Sequence, residues 1–248
     1  MGSPVFILST GRTGTQFFEE YLNQTAESVV CRHEPKPSRR FKFLSNLYLD
    51  QRIASRTIAR IYRRSRRSLF RQTGERQYVE SSNFLFGCIP AISQLYQEPG
   101  VVHIIRHPVG YVKSHLGHGF WKGHKKFFAR HVPYWMERVE ISDRTNPAAW
   151  LSARWNYVNR QIASYATTNP YLLVRFEDLF SKDSAASSAQ INSIRTFCGL
   201  DPLSDSENTG WLRQPKNYSK IQQELSPGDT ALILRETETI RTQYGYNE

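Results

Sequence analysis

The sequence contains little of what marks several specialised classes of protein. Of its 248 residues only three are cysteines, Cys31, Cys88 and Cys198, an odd number spread far apart. This argues against a disulfide framework and favours reduced thiols. No apolar run approaches the roughly 20 residues that a membrane-spanning helix needs. A strand-like run begins as early as Pro4, which leaves no room for a signal peptide, so a cytoplasmic location is expected.

Acidic residues are also scarce, with 22 Asp and Glu against 33 Lys and Arg, which gives a net charge of +11. Fourteen of the basic residues lie between Arg32 and Arg76, so the excess is local. This stretch predicts one helix over about 44–70, with an apolar stripe facing inward and a solvated cationic face. The stripe consists of Ala54, Ile58, Ile61 and Tyr62. The cationic face consists of Arg52, Arg56, Arg60, Arg63, Arg64, Arg66, Arg67 and Arg71. Such a face is usually plain surface, but it also suits an acidic acceptor, a membrane surface or nucleic acid.

The clearest pattern in the chain is a short apolar run, a turn of small residues and a helix signal, all within residues 4–18. The run at 5–8 is too short for a helix and predicts a buried strand. A strand, a turn and a helix in this order gather unpaired backbone N–H groups around an anion. Arg12 adds a planar, permanently charged fork that suits phosphate or sulfate oxygens, and Thr13 and Thr15 add hydroxyl donors. The segment therefore predicts an anion site.

A second anion site is predicted by a later strand. Residues 101–105 form an apolar run that ends at Arg106, and a helix opened by Pro108 carries Ser114. Neither site is of the Walker type, because no Gly-Lys pair follows the first turn to reach the phosphates of a nucleoside triphosphate.

These residues together resemble the sulfotransferases that use 3′-phosphoadenosine 5′-phosphosulfate (PAPS). In that family the first loop binds the 5′-phosphosulfate, and an Arg and a Ser with six to nine residues between them bind the 3′-phosphate. Residues 12–17 match the first element, and Arg106 with Ser114 matches the second. Residues 171–179 resemble the family's later strand and helix start, and 243–246 its usual ending. The resemblance implies PAPS as donor, no required metal, and donor contacts from Arg12, Thr13, Gly14, Thr15, Gln16, Phe17, Arg106, Ser114 and Lys216.

Strand-like and helix-like patterns alternate along the chain, which predicts an α/β fold with a central parallel sheet flanked by helices. We expect one domain over 1–248 with the three-layer architecture of sulfotransferases and nucleotide kinases. It would carry a basic helical insertion at about 40–72 and an aromatic, histidine-rich loop at about 117–146. Ligands bind such sheets beyond the carboxyl ends of the strands. The residues that follow predicted strands are Arg12, Glu34, Ser81, Arg106 and Arg175.

Several helices are predicted from their capping signals. Residues 81–83, Ser-Ser-Asn, predict the cap of a helix that ends near Tyr96. Asn146 followed by proline predicts the start of a helix to about Ala166. The side chains expected to face inward from this helix are Trp150, Ala153, Tyr157 and Ile162. Further helices are expected at about 187–198 and 227–243.

Sulfuryl transfer needs a base for the acceptor proton and a cation for the leaving group. The resemblance implies Glu34 as base, because some branches of the family carry a Glu at this place, and Arg12 as the cation. An ion pair with nearby arginines is the alternative for Glu34, and His33 is the rival base. Many relatives carry a catalytic Lys where this chain has Ser81. Either Arg12 then stabilises the leaving group alone, or another cation contributes, for which the candidates are Lys113, Lys122 and Lys216.

Six of the seven histidines fall within residues 103–131. Few acids and no cysteine accompany them, so no metal site is expected. The glycines and aromatic residues of 117–135 suit a binding loop, although a small satellite core explains them equally well. The residues expected to contact the acceptor are Ser81, His115, His118, Phe120 and Trp121.

The sequence therefore predicts a cytoplasmic, PAPS-dependent sulfotransferase that acts on a hydroxyl of a small molecule or carbohydrate. One alternative is a P-loop phosphotransferase. A second is a basic protein that binds an acidic partner or nucleic acid, although nucleic acid is the less favoured partner. A third keeps the chemistry but makes a protein tyrosine the acceptor.

Overall fold

The computed structural model describes residues 2–119, 121–123, 126–127, 131, 139–212 and 224–247. Within these ranges the strands form one sheet, in the order β2-β3-β1-β4-β5, and every neighbouring pair is parallel. The strands are β1 (Val5–Ser9), β2 (Val29–His33), β3 (Gln77–Ser81), β4 (Gly100–Ile105) and β5 (Tyr171–Arg175). The predicted α/β class with a parallel sheet is confirmed.

Helices connect the strands and cover both faces of the sheet. They are α1 (Thr15–Thr25), α2 (Ser38–Leu49), α3 (Ser55–Thr73), α4 (Ile89–Ile92), α5 (Pro108–Gly117), α6 (Pro147–Ala163), α7 (Phe176–Leu179), α8 (Ser184–Phe197), α9 (Asp205–Leu212) and α10 (Pro227–Gln243). Short 3₁₀ turns follow α4 and α6, at Ser93–Leu95 and Ser164–Thr167. The helix α9 has no counterpart in the sequence predictions.

The central strand β1 is buried along its whole length, because helices pack on both of its faces. Val5 and Ile7 point to the side that α1 and α8 cover, whereas Phe6 and Leu8 point to the side of α3, α4 and α6. Successive side chains of a strand alternate between faces, so an unbroken apolar run is the pattern of a strand covered on both sides.

The prediction of one basic helix over 44–70 is wrong. Two helices, α2 and α3, cover this stretch, and Gln51 between them adopts a left-handed backbone with φ 58°. The predicted inward stripe is also partly wrong, since Ala54 is exposed while Ala59 and Arg66 are buried. The apolar residues before and after 50–54 keep a helical spacing, so the sequence pattern does not indicate a break there.

The predicted cap at residues 81–83 is also wrong. The Ser82 N–H donates to the Ile7 carbonyl at 2.9 Å, so this segment still follows the sheet. Helix α4 begins only at Ile89, with proline in its first turn. The cap at Asn146 is confirmed, because its Oδ1 accepts the Ala148 N–H at 2.7 Å.

The predicted inward face of α6 is partly right. Trp150 and Ile162 are buried, whereas Ala153 and Tyr157 are only half-buried. Arg154 takes a buried position on this face beside Trp155. In the part of the chain that the structure describes, no helix has both the length and the apolarity to cross a membrane.

Candidate active site

The turn between β1 and α1 lies at the carboxyl end of the central strand and has an unusual backbone. Gly11, Arg12 and Gly14 all have left-handed φ angles, of 86°, 63° and 70°. A Cβ on Gly11 would lie 2.6 Å from the Asn83 side-chain nitrogen, and one on Gly14 would lie 2.8 Å from the Phe180 ring. Both the backbone conformation and the close neighbours therefore require glycine at these two positions.

The two predicted anion-binding elements meet at this turn. Arg12 Nε donates to Ser114 Oγ of α5 at 3.3 Å, and Arg12 Nη2 contacts His118 Nε2. Arg106, directly after β4, donates from Nη1 to the Arg12 carbonyl at 2.7 Å. This follows from the sheet, since β1 and β4 are paired neighbours whose carboxyl ends lie side by side.

Arg106 is held in place by its surroundings. Its guanidinium carbon lies 4.3 Å from the centre of the Phe176 ring, at the start of α7. The next residue, His107, donates its N–H to Glu177 Oε1 at 3.0 Å, and Glu177 Oε2 accepts from the Tyr246 hydroxyl at 2.6 Å. Residues near the C-terminus thus brace the second anion-binding element.

The threonines of the turn offer polar groups to a ligand. Among the described residues, the Thr10 and Thr13 hydroxyls are buried and make no hydrogen bond within the protein. Buried polar groups normally have a partner, so two such hydroxyls beside a cationic turn fit an anionic ligand. The turn therefore fits the phosphosulfate group that the sequence resemblance implies.

Arg154 is a residue of this region that sequence reasoning missed. It is 2% exposed and donates from Nη1 to the Thr10 carbonyl at 2.6 Å, and it contacts the Tyr111 hydroxyl. The signal was available, because an arginine between Trp150 and Trp155 interrupts an apolar helix face. Arg154 therefore holds the Thr10 carbonyl, at the start of the turn.

Glu34 follows β2 and lies beside β3. Its N–H donates to the Ser81 carbonyl at 3.0 Å, and its backbone is left-handed with φ 44°. Burial raises the pKa of the Glu34 carboxyl, against the opposing effects of the Asn83 N–H and of the charges on Arg39 and Lys42. Neither of these cations was predicted.

His33 precedes Glu34 and is half-buried. Its N–H donates to Glu19 Oε2 at 3.1 Å, while its ring Nδ1 is buried without a hydrogen bond among the described residues. Burial lowers the pKa of the His33 ring. The imidazole is therefore neutral at physiological pH.

The histidines in α5 and directly after it have different surroundings. His115 packs on the Tyr111 ring, with ring centres 4.5 Å apart, whereas His118 is exposed and touches Arg12. Burial, followed by the charges of Arg154, Lys42 and Arg12, holds the pKa of His115 well below its usual range. Trp121 is half-buried and packs against the cluster formed by α5, α6 and α10.

Of the other predicted site residues, Ser81 and Phe17 make contacts inside the fold. Ser81 is fully buried and donates to the Thr15 carbonyl at 2.8 Å, which joins β3 to α1. The Phe17 ring stacks on Tyr21, with centres 5.1 Å apart, and Gln16 is exposed. Phe120 and Lys216 lie outside the described residues. Within the described ranges, no group of three or more His, Cys, Asp or Glu side chains is arranged to hold a metal ion.

Comparison with known proteins identifies relatives of the whole fold. A family model described as "Sulfotransferase family" matches residues 4–205. No curated protein matches the chain in sequence.

Three solved structures resemble the chain. A sulfotransferase domain from the curacin biosynthetic pathway has a TM-score of 0.59 at 14% identity, covering 100% of this chain and 99% of that one. A sulfotransferase from Alicyclobacillus acidocaldarius has a TM-score of 0.57 at 13% identity, covering 100% and 98%. The sulfotransferase STF1 from Mycobacterium tuberculosis H37Rv has a TM-score of 0.52 at 14% identity, covering 97% and 77%. At these identities the likeness shows the fold alone.

Proposed function

We propose that this chain, which belongs to the sulfotransferase family, moves a sulfuryl group from PAPS to a hydroxyl of a small molecule or carbohydrate. One observation carries the proposal. The side chain of Arg12 reaches Ser114 at 3.3 Å while Arg106 reaches the Arg12 carbonyl at 2.7 Å, so two anion-binding elements converge at adjacent strand ends. A donor with a phosphosulfate at one end and a 3′-phosphate at the other needs two such elements.

The donor supplies an activated sulfuryl group, and the turn supplies the charge and the orientation. Arg12 and the backbone N–H groups at the start of α1 bind the phosphosulfate end, together with the buried Thr13 hydroxyl. Arg12 also stabilises the charge that develops on the leaving oxygen, because a fixed cation in a partly buried site needs no reorganisation. Arg106 and Ser114 bind the 3′-phosphate.

Glu34 takes the proton of the acceptor hydroxyl. A carboxylate whose pKa is raised by burial is a stronger base than an exposed one, and its pKa lies closer to neutral pH. His33 is the weaker candidate, because burial lowers the pKa of its ring and so weakens it as a base. Lys42 and Arg39 supply positive charge near Glu34, and Lys42 offers a substitute for the lysine of other family members.

The acceptor enters beside α5. His118 contacts Arg12, as Ser114 does, the charge of Arg12 acts on His115, and Trp121 follows the same helix. The imidazoles and the indole offer hydrogen bonds and a flat apolar surface, which suit a phenol, an alcohol or a sugar. The phosphotransferase alternative loses its support, since the matching family is that of sulfotransferases.

Calorimetric titration with 3′-phosphoadenosine 5′-phosphate (PAP) in EDTA tests the donor site. Wild type is expected to bind, and Arg106→Ala to bind at least tenfold more weakly, a loss of about 1.4 kcal/mol. Because Arg106 also holds the turn, Ser114→Ala serves as a milder second variant. Arg160→Ala is the control, since it removes the same charge from the exposed last turn of α6.

Transfer is then measured with ³⁵S-labelled PAPS and a panel of phenols, aliphatic alcohols, monosaccharides and oligosaccharides. Labelled product from at least one acceptor, with Glu34→Gln at least a hundredfold slower, is the expected result. A folded wild type that does not bind PAP would overturn the proposal.

A further inference from the structure

Arg66 differs from the other arginines of α3. Its side chain is fully buried on the inward face of the helix, among residues that include Ile58 and Tyr62, while the other six arginines of α3 are exposed. A charge in this position is costly and needs an explanation.

The partner of Arg66 is Glu80, the buried penultimate residue of β3. Arg66 donates from Nε to Glu80 Oε2 at 2.9 Å and from Nη2 to Glu80 Oε1 at 2.7 Å, and both side chains are 0% exposed. The Tyr62 and Tyr78 hydroxyls each donate to Glu80 Oε2 at 3.0 Å. Desolvation offsets much of the attraction within such a pair, so stability alone is a weak explanation for it.

The remaining donors of Arg66 reach a different segment. Nη2 donates to Ser38 Oγ at 3.0 Å, and Nη1 donates to the Lys36 carbonyl at 3.3 Å. Ser38 Oγ in turn donates to the Pro35 carbonyl. The guanidinium therefore bridges β3 to residues 35–38, which directly follow Glu34.

Glu34 is thus tied to β3 on both sides. Its own N–H donates to the Ser81 carbonyl, next to Glu80, and the segment after it is tied to Glu80 through Arg66. Between the two ties Glu34 keeps a left-handed backbone. A non-glycine residue holds such a conformation only where its surroundings enforce it.

We propose that Arg66 is a positioning residue for the transfer reaction. By holding residues 35–38 against β3 it fixes the backbone of Glu34, and with it the direction and the buried surroundings of the Glu34 carboxylate. The inference rests on the proposed function, in which Glu34 takes the acceptor proton.

The test compares Arg66→Lys with wild type. Lysine keeps the charge but lacks the planar fork that meets Glu80 and residues 35–38 together. We expect at least a tenfold loss of kcat for ³⁵S transfer from PAPS to the best acceptor of the panel, with the Kd for PAP changed less than twofold. In protein labelled with ¹³C-glutamate, the NMR titration of Glu34, assigned with Glu34→Gln, should move to lower pH as water reaches the carboxylate.

Two variants separate positioning from plain stability. Tyr78→Phe removes one hydroxyl from the same buried carboxylate without touching residues 35–38, so it should lower the Tm but leave kcat and the Glu34 titration unchanged. Arg67→Lys makes the same substitution at the next, exposed position and should change nothing. Ser38→Ala breaks the bridge at its other end, should reproduce part of the kcat loss, and keeps the test decisive if Arg66→Lys does not fold.

The outcomes distinguish the two proposals. If wild type fails to bind PAP, the proposed function is wrong. If wild type is active and Glu34→Gln is not, but Arg66→Lys and Ser38→Ala keep the wild-type kcat and Glu34 titration, only the positioning role is wrong. An equal loss of kcat in Tyr78→Phe would also overturn that role.

Discussion

Single residues of this fold carry ionisable groups in surroundings that disfavour their charge. Glu34, the proposed base, is one example, since burial raises the pKa of its carboxyl. In the unfolded chain the same carboxyl titrates near its ordinary pKa of about 4.3. Between these two values the folded state binds more protons than the unfolded state, so the contribution of Glu34 to stability falls as pH rises. A residue suited to act as base therefore costs the fold stability at neutral pH.

Glu34→Gln is accordingly expected to stabilise the protein while removing its transfer activity. The gain in the free energy of unfolding should be present at pH 7.5 and should vanish at pH 4, below the ordinary pKa of glutamate. Urea unfolding at the two pH values measures it. A variant less stable than wild type at pH 7.5 would show that the charge of Glu34 does not destabilise the fold.

The contribution of His103 to stability changes with pH in the opposite direction. It is fully buried in β4, where its ring nitrogens face the Tyr171 hydroxyl at 2.6 Å and Asn159 Oδ1 at 3.0 Å, and burial lowers its pKa to about 4. The unfolded chain binds the proton near pH 6.5, so stability is fully present above that pH and is lost as the pH falls towards 4.

In His103→Gln we expect the free energy of unfolding to fall less steeply as the pH drops. The loss of unfolding free energy between pH 6.5 and pH 4 should shrink by about 3 kcal/mol, at roughly 1.4 kcal/mol for each pKa unit. Urea unfolding across this range measures the slope. A variant with the same slope as wild type would show that other groups cause the acid sensitivity.

At the scale of elements, the turn between β1 and α1 joins fold and function. Gly14 is the residue before α1, and it combines a left-handed backbone with close packing against Phe180. Gly199, after α8, has φ 74° but nothing within 4 Å of the Cβ position. Substitutions at the two glycines therefore distinguish the cost of backbone strain from the cost of steric overlap.

Gly14→Ala is expected to destabilise the protein more than Gly199→Ala. The left-handed conformation costs each alanine about 1 kcal/mol, and overpacking against Phe180 adds about 1–3 kcal/mol at Gly14. Only Gly14→Ala should also weaken PAP binding, since the turn would shift. Thermal unfolding and calorimetry measure both effects, and equal destabilisation by the two variants would contradict the steric argument.

The strands and the position of the turn before α1 were predictable from sequence because their signals are local. The apolar run, the small residues and Arg12 can be recognised as a strand and a turn without the rest of the chain. The division between α2 and α3 was not, since no proline or glycine marks residues 50–54 and the apolar spacing resumes beyond them. The burial of Arg66 was equally hidden, because its partner, Glu80, lies on a different element, β3.

At the scale of the whole molecule, much of the net charge of +11 comes from α3, which carries seven arginines. The exposed arginines of α3 are Arg56, Arg60, Arg63, Arg64, Arg67 and Arg71. No acidic residue occurs between Asp50 and Glu75. Like charges three or four residues apart on a helix repel by several tenths of a kcal/mol for each pair, and salt screens the repulsion. The helix persists because its inward face is packed into the core.

Arg64→Glu is therefore expected to stabilise the protein by about 1 kcal/mol at low salt, since it replaces repulsion with attraction towards Arg60 and Arg67. Arg64→Gln, which only removes the charge, should give about half of that gain. Both gains should disappear in 1 M NaCl, where the Debye length is about 3 Å. Urea unfolding at 20 mM and 1 M NaCl measures the difference, and a gain that is independent of salt would mean that helix propensity, not repulsion, controls the stability of α3.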